Sequence, residues 1–573
     1  MSTHTGTGAA PVDAFTIEII KDALVAVGDE MFVSLQRTSM SPIIYEVLDY
    51  CCGILDRDSG LVAQGNGVAG FLGTITFAAK SVIDKFGYAG LKEGDIIVTN
   101  DPYSGGGTHL SDVSLVMPIF FEGEVVGFAA NKAHWTEVGG KDPGSWTTDA
   151  TEVFQEGLQF PCIKIFIEGQ PIQGLLDLIA ANVRTPEMTI GDIWAQVASV
   201  RLGALRFQQL CAKYGVGTIQ SAIDALMDHG ERTIQQELLK LPKGVFFAED
   251  WIDDDGLTDE PHHCQVVVTV TDDEFVCDFT GSAPMAKGPI NCTRTGLEAA
   301  ARLVFKAITD PHIPANEGTF RALRVICPDA TVLTAVRPAP VSTYWETMIF
   351  GADLIWKALA PSVPDRLSAG HYLSVSADVT FTIHPDTGKP AILVEPNAGG
   401  WGAGIDQDGE SGMFCVGNGV TYNIPLEVAE AAYGIQVDQF AFNTAPGGEG
   451  KYSGGRGVIR DYRILSDQGG FITATLGRHK FKPWAVDGAQ QGSGNSVVII
   501  HADGRPDVVR GKTARYPLKK GDVARLMTGS GGGWGDPKER DHAQVLADVR
   551  GGIVSRETAR DIYGLSDEEL ASV

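Results

Sequence analysis

The sequence has no run approaching the ~18 consecutive apolar residues of a membrane span. Its opening, Met1 to Phe15, has neither the basic n-region nor the apolar h-region of a secretory signal. We therefore expect a chain that makes no membrane contact and works in the cytoplasm. Basic residues are scarce: 45 Lys and Arg stand against 72 Asp and Glu, a net charge of −27. Such a field repels the phosphate backbone and excludes nucleic acid as a natural partner. There is no CxxC pair. The nine cysteines are odd in number and scattered, and the neighbours Cys51 and Cys52 are poorly placed to bridge each other. They read as reduced, mostly buried thiols. A phosphate-binding fingerprint is missing as well. The nearest approach, PGGEGKYS, has Ala445 where the first glycine of a P-loop belongs and Tyr452 where its hydroxyl residue belongs, and no Rossmann or kinase signature occurs.

What is present is a chain of 573 residues, 44% hydrophobic, long enough for about three or four packed units. Its 69 glycines gather in runs such as Gly105 to Gly107 and Gly531 to Gly533, which shape loops rather than linkers. Ile17, Ile20, Leu24, Val27, Met31 and Leu35 follow the three-and-four spacing of an amphipathic helix from Phe15 to about Ser39, with Asp13 as its cap. From Tyr45 to about Pro118 the pattern shortens to strands (CCGILD, DIIVTN, VSLVMPIFF) with one helical stretch around Ile75 to Phe86. Thr189 to about Leu241 predicts two or three helices. Gly244 to Phe279 reads as strands, Arg294 to Ile308 as a helix, and most of the remainder as strands between Gly, Pro and Asn loops. Charged helical sequence follows Pro537. The expected architecture is mixed α/β (α+β): a flexible N-terminus (1–14), an α/β unit (15–242), a strand-rich α+β unit (243–538) and a helical tail (539–573).

The stretch from Asn100 to Gly140 carries the chemistry. It reads as a glycine-rich loop, a strand, a tight turn at Phe121 to Glu124 and a returning strand. A loop of three residues, Glu122 to Glu124, pairs positions summing to 246, which sets Asp112 opposite His134; a two-residue turn shifts that pairing by one. Opposed residues hold their Cβ atoms about 4.5 to 5.5 Å apart, close enough for an imidazole and a carboxylate to share one cation. His109 stands three residues before Asp112, and Gly105 to Gly107 let the backbone turn it back toward the pair. Three such ligands suit Zn²⁺, Mn²⁺ or Fe²⁺ better than Ca²⁺ or Mg²⁺. A histidine at a strand end also serves as an ordinary hydrogen-bonded side chain, and the glycines also suit a plain turn or a phosphate-binding loop. Glu137, near His134, suits a general acid or base and equally a solvated loop residue. Asp101 suits a carboxylate orienting His109, while Asn-Asp-Pro is also a common turn sequence. Trp135, Trp401 and Trp534 read as core or pocket walls, and GSGGGWGDP as a tight packing element.

RTSMSPIIYEVLDYCCGILDRD, NDPYSGGGTHLSDV and NKAHWTEVGG resemble the hydantoinase B / 5-oxoprolinase family, which is related to the large subunits of acetone and acetophenone carboxylases. DFTGSAPMAKGPINC, DPHIPANEGTF, GGWGA, PGGEGKYSGGRG and GSGGGWGDP follow in the family's order, so the resemblance runs from about Phe15 to Pro537. It implies a metal site of Asp49, His109, Asp112 and His134, with Asp49 supplied by the resemblance alone. It also implies the metal-binding subunit of an ATP-dependent hydrolase of cyclic amides: hydantoin, N-methylhydantoin, oxoproline or a larger lactam. The ATP is then bound by a separate actin-like subunit of the hydantoinase A type, in a hetero-tetramer of two copies of each. The ion is expected to act on water or the amide oxygen once the carbonyl has been activated by phosphorylation. The resemblance leaves open an acetone- or acetophenone-type carboxylase subunit, which the chain length disfavours, and a non-catalytic subunit whose metal is structural.

Overall fold

The computed structural model describes residues 12–573, so the expected flexible opening lies almost wholly outside the described residues. Helix α1 (Ala14–Thr38) starts where Asp13 accepts the backbone N–H groups of Phe15 and Thr16, and it buries Ile20, Leu24, Val27, Met31 and Leu35. After the short α2 (Pro42–Tyr45) come β1 (Tyr50–Leu55), β2 (Leu61–Gln64), α3 (Ala69–Phe86), β3 (Ile96–Thr99), β4 (Asp112–Phe121), β5 (Glu124–His134), β6 (Ile163–Ile167) and β7 (Gln170–Pro171). These strands form one antiparallel sheet in the order β2-β1-β5-β4-β3-β6-β7. Helices α4 (Gln173–Asn182), α5 (Pro186–Tyr214) and α6 (Val216–Lys240) follow, α5 and α6 parting at Gly215, whose φ is 84°.

The sheet lies between two helical layers, and the alternation along β5 shows which side chains face which. Asn131 donates to the Gln196 carbonyl of α5 at 2.9 Å, whereas Lys132 donates to Thr74 of α3 at 2.5 Å. Even-numbered residues at this end of β5 therefore face α3. Helix α3 begins six residues before the expected Ile75. Glycines 70 and 73, which read as loop in the sequence, sit inside it because a Cβ on Gly73 would lie 2.6 Å from the Ala299 Cβ.

The second half of the chain supplies β8 (Gly244–Ile252), β9 (His262–Val270), β10 (Phe275–Asp278), α7 (Arg294–Ile308), β11 (Leu323–Ile326), α8 (Trp345–Leu359), β12 (Ala377–Ile383), β13 (Pro390–Glu395), α9 (Leu426–Tyr433) and β14 (Ile435–Asn443). Strands β15 (Gly457–Ile464), β16 (Gly470–Thr475), β17 (Ser496–Ile500), β18 (Val508–Arg510), β19 (Lys512–Leu518) and β20 (Val523–Met527) complete three sheets, ordered β11-β10-β9-β8, β13-β12-β16-β19 and β14-β15-β20-β17-β18. Helix α8 departs from the strand-rich expectation. All its residues but Lys357 are buried, Glu346 and Asp353 included, so its polar positions do not mark a solvent face. One buried apolar cluster runs from Ile20 to Trp534, and the nine cysteines are free and buried. Gly531 and Gly532 lie within van der Waals reach of the Trp401 and Trp484 carbonyls, which makes the GSGGGWGDP run a packing element. The tail, α10 (His542–Arg550), α11 (Arg556–Asp561) and α12 (Asp567–Leu570), has a small core of its own. It is pinned to the body by Tyr563 to Ser453 at 2.8 Å and Arg540 to Asp408 at 2.6 Å.

Candidate metal centre

Three adjacent strands set the site. Asp112, first in β4, is the direct partner of His134, last in β5. The His134 N–H in turn donates to the carbonyl of Asp49, just ahead of β1, at 3.0 Å. Asp49, His134 and Asp112 thus stand in a row across β1, β5 and β4. The hairpin reaches this register by an unexpected route. Its turn has two residues, Glu122 and Gly123, with φ of 52° and 86°. A bulge that leaves Val126 unpaired then restores the pairing that a three-residue loop would have produced.

His109 comes from the glycine loop. Gly106 has a φ of 67°, and a Cβ there would lie 2.5 Å from the Ala78 nitrogen and 2.6 Å from the Thr74 carbonyl oxygen, so the loop rests on the backbone of α3. The buried Lys132 ammonium donates to the Gly106 carbonyl at 2.6 Å and ties the loop to β5. With the backbone held there, His109 folds back until its Nε2 is 3.0 Å from Asp112 Oδ1.

The donor atoms at this point are unspent. His109 Nδ1 faces the Ser342 carbonyl at 3.1 Å, which fixes the proton on Nδ1 and leaves a lone pair on Nε2. Asp112 Oδ2 accepts from the Thr108 hydroxyl at 2.5 Å, while Asp112 Oδ1 and His134 Nδ1 are buried without any hydrogen-bond partner. His109, Asp112 and His134 each offer one ligand atom, all within 4.8 Å of one another. Nε2 and Oδ1, 3.0 Å apart, need a cation beside them, either a proton shared between the two or a metal ion; the ligands of a tetrahedral Zn²⁺ site are themselves only about 3.3 Å apart. The residues present fit a divalent ion.

Burial raises the Asp112 carboxyl, but the positive charge and hydrogen bond of a His109 imidazolium, then His134 and Lys132, outweigh it and bring it to about 2; in the absence of an ion, a proton on Nε2 takes the place of the cation beside Oδ1. Burial, then the neighbouring His109, lowers His134 to about 4, so its imidazole is neutral. Burial, then the charge of Asp112, pushes the Asp49 carboxyl well above its ordinary range, a conflict that a shared cation relieves. Asp49 stands outside the tight group of three but lines the same cavity, which has about 60 Å³ of room for the centres of water molecules. The walls come from both halves of the chain: Phe71 and Trp146 from the first, Trp345, Val375, Val394 and Glu395 from the second. The Tyr344 hydroxyl lies beside Thr108 and Asp112, with its ring 5.3 Å from that of His109.

The structure does not bring Asp101 or Glu137 to this cavity. Asp101 accepts from the Tyr103 N–H at 3.1 Å, Ser104 Oγ at 2.8 Å and Arg337 at 3.2 Å, and its carbonyl receives the N–H groups of Gly105 and Gly107. It holds the turn, and Ser342 takes the orienting role expected of it. The buried Glu137 carboxylate accepts from Ser145 Oγ at 2.5 Å, Arg184 at 2.8 Å and Gly139 N–H at 3.0 Å on Oε1 and from Gly144 N–H at 3.2 Å on Oε2, so it braces its own loop and does not line the cavity. Sequence reasoning missed Thr108, Ser342, Tyr344 and Trp345. The segment Pro340 to Tyr344 leads into α8, whose first residue is Trp345, without periodicity, and only its contact with His109 singles it out.

The sequence model described as Hydantoinase B/oxoprolinase matches residues 13–537. An uncharacterized protein of Methanocaldococcus jannaschii is 33% identical over 96% of each chain. A putative D-/L-hydantoinase subunit from a Pseudomonas species is 30% identical over 97% of this chain and 95% of its own. Among solved structures, the ATP-dependent caprolactamase of Pseudomonas jessenii superposes with a TM-score of 0.90 at 26% identity, covering 97% of both chains. Nucleotide-free acetone carboxylase shares the fold with a TM-score of 0.88 at 20% identity, over 97% of this chain and 80% of its own. A family model matching nearly the whole sequence and relatives of equal length lead to one assignment: the chain belongs to the Hydantoinase B/oxoprolinase family.

Proposed function

We propose that this chain is the metal-binding subunit of an ATP-dependent hydrolase of cyclic amides. The observation that carries the reading is the convergence of His109, Asp112 and His134, three buried side chains whose ligand atoms lie within 4.8 Å of one another, two of them without a hydrogen-bond partner, on one small cavity that Asp49 also lines. Relatives named for hydantoinase and caprolactamase activity support the reaction class, and a hydantoinase relative named as one subunit of its enzyme supports a partner. A divalent ion held by these residues, Zn²⁺, Mn²⁺ or Fe²⁺, supplies Lewis acidity at the reacting carbonyl.

The chain's own residues do the rest. Ser342 orients His109, Thr108 orients Asp112, and Trp146, Trp345, Val375 and Val394 keep bulk water from the reacting bond. The Tyr344 hydroxyl is placed to donate a hydrogen bond to an oxygen that gains charge as the ring opens. The metal cavity, at about 60 Å³, is too small for a nucleotide, and the sequence carries no P-loop; we propose that ATP is bound by a partner, an actin-like ATPase subunit of the hydantoinase A type.

The test is elemental analysis and turnover of the wild type and His109→Ala, each with the ATPase partner, ATP and a panel of hydantoins and lactams. The expected result is one equivalent of metal and a ring-opened amino acid from wild type, and neither from the variant. Full activity in His109→Ala defeats the reading. Stable incorporation of labelled bicarbonate assigns carboxylation instead.

A further inference from the structure

Among the described residues, strand β14 is the outermost strand of its sheet and pairs with no strand but β15. Proteins usually defend such an edge with charge, proline or a bulge. Here the first half is defended: a bulge lies between Val437 and Gln439, and Asp438 is paired with Arg463. The second half, Gln439 to Phe442, has no charge and no proline, and leaves Phe440 49% and Phe442 52% exposed. Met413, 47% exposed, follows Gly412, which packs on the Phe442 ring, and Tyr422, 56% exposed, lies two residues from the Ile424 carbonyl that accepts from Arg460. The result is a bare strand edge with an aromatic lip. In a folded chain such a surface marks a place that another protein covers.

Two further observations say what covers it. The lip adjoins the cavity wall: Arg460, the cross-strand neighbour of Phe440, holds its guanidinium 5.4 Å from that ring and pairs with the buried Glu395, which lines the cavity. The surrounding surface is also acidic. Of the eight carboxylates in residues 390–450, Glu395 and Glu449 are buried and Asp408 and Asp438 are paired with arginines, which leaves Asp406, Glu410, Glu427 and Glu430 exposed without an ion-pair partner among the described residues, and the segment has no Lys, Arg or His. A second copy of this chain seated on β14 sets carboxylates against carboxylates, whereas a different chain with a basic rim around an apolar centre is complementary.

We propose that the β14 edge and its lip, Met413, Tyr422, Phe440 and Phe442, are the seat of a different, basic-rimmed subunit, which contacts this chain directly outside the Glu395 wall of the metal cavity. The proposal rests on the two-component reading above and adds the place of contact.

The test is light scattering and titration of the full chain with its ATPase partner, using wild type, Phe440→Ser/Phe442→Ser, and Val245→Ser/Phe247→Ser as a control on β8, a second exposed edge whose Val245 and Phe247 are 69% and 55% exposed. Metal content and melting temperature report folding. The expected result is a complex for the wild type and the β8 control, and partner affinity at least about 100-fold weaker for the β14 variant with its metal content intact. Equal affinity in the β14 variant overturns the proposal, as does equal loss in both variants. A self-associated form lost only from the β14 variant assigns the edge to a second copy and overturns the choice of occupant. Failure of the wild type to bind the ATPase partner overturns the two-component reading together with this proposal.

Discussion

Chelation and Asp112→Asn together probe the metal centre without relying on a substrate. Two buried atoms, Asp112 Oδ1 and His134 Nδ1, lack partners, and each such atom costs about 1–3 kcal/mol. An ion that both atoms face recovers about 2–6 kcal/mol, and saturation at a hundred times the dissociation constant, worth about 2.7 kcal/mol, falls inside that range. At about 2.1 cal/mol/K per residue, unfolding 573 residues carries an entropy of about 1.2 kcal/mol/K, so the expected rise in melting temperature is about 2 to 5 °C. Asp112→Asn keeps the shape and the Thr108 bond and offers an N–H to His109 Nε2, while relieving Asp49 and depriving Lys132 of an anion. These effects oppose each other, so in chelator the variant melts within about 2 °C of wild type. Scanning calorimetry of chelated protein equilibrated overnight with Zn²⁺, Mn²⁺ or Fe²⁺ should show the rise in wild type only. A wild type indifferent to all three ions, or an equal rise in Asp112→Asn, refutes the argument from orphaned donors.

Three further outcomes follow from the surroundings of the site. Glu137→Gln should lower unfolding free energy in urea by about 1–3 kcal/mol, through its weakened bond with Arg184, while metal content stays at the wild-type level; loss of metal would make Glu137 part of the centre. Gly106→Ala, forced to a φ of 67° and against the backbone of α3, should cost at least about 2 kcal/mol and lower metal content by displacing His109; a stable, metal-replete variant contradicts the loop packing. Burial raises the Glu156 carboxyl from 4.5 to about 8 although it accepts the N–H groups of Val341 at 2.8 Å and Ser342 at 2.9 Å. The folded state then keeps a proton that the unfolded chain loses near pH 4.5, so this contribution is complete below pH 4.5 and declines by up to about 1.4 kcal/mol per unit as pH rises to about 8. Glu156→Gln should flatten the melting profile over that window in chelator, and an unchanged slope contradicts it.

Much of this was legible in the sequence, for identifiable reasons. The Asp13 cap, the end of the helical run at Leu241 and the helix Arg294–Ile308 rest on local chemistry and appear where propensity and periodicity put them. The Asp112–His134 pairing was legible from hairpin arithmetic although the turn is a residue shorter than expected, because the bulge at Val126 returns the residue that the turn omits. Asp49 was not legible from spacing: its place depends on the long-range pairing of β1 with β5, and only the family resemblance pointed to it. Helix α8 lay hidden because its charged residues Glu346 and Asp353 are buried with the rest, so polarity along it does not report which face meets solvent. The Ser342 carbonyl lay hidden because a backbone acceptor leaves no trace in residue identity.

The division of the cavity between distant parts of the chain bears on how an ion gets in. His134 completes the proposed ligand set, whereas Asn418, the last wall residue, is 284 positions further on. At ribosomal speeds of about 5–20 residues per second, these side chains emerge roughly 15 to 60 s before the second half of the chain can wall them in. The nascent polypeptide thus offers the site to solvent from more sides than the finished protein does. An ion should be taken up faster during translation than by completed apoprotein.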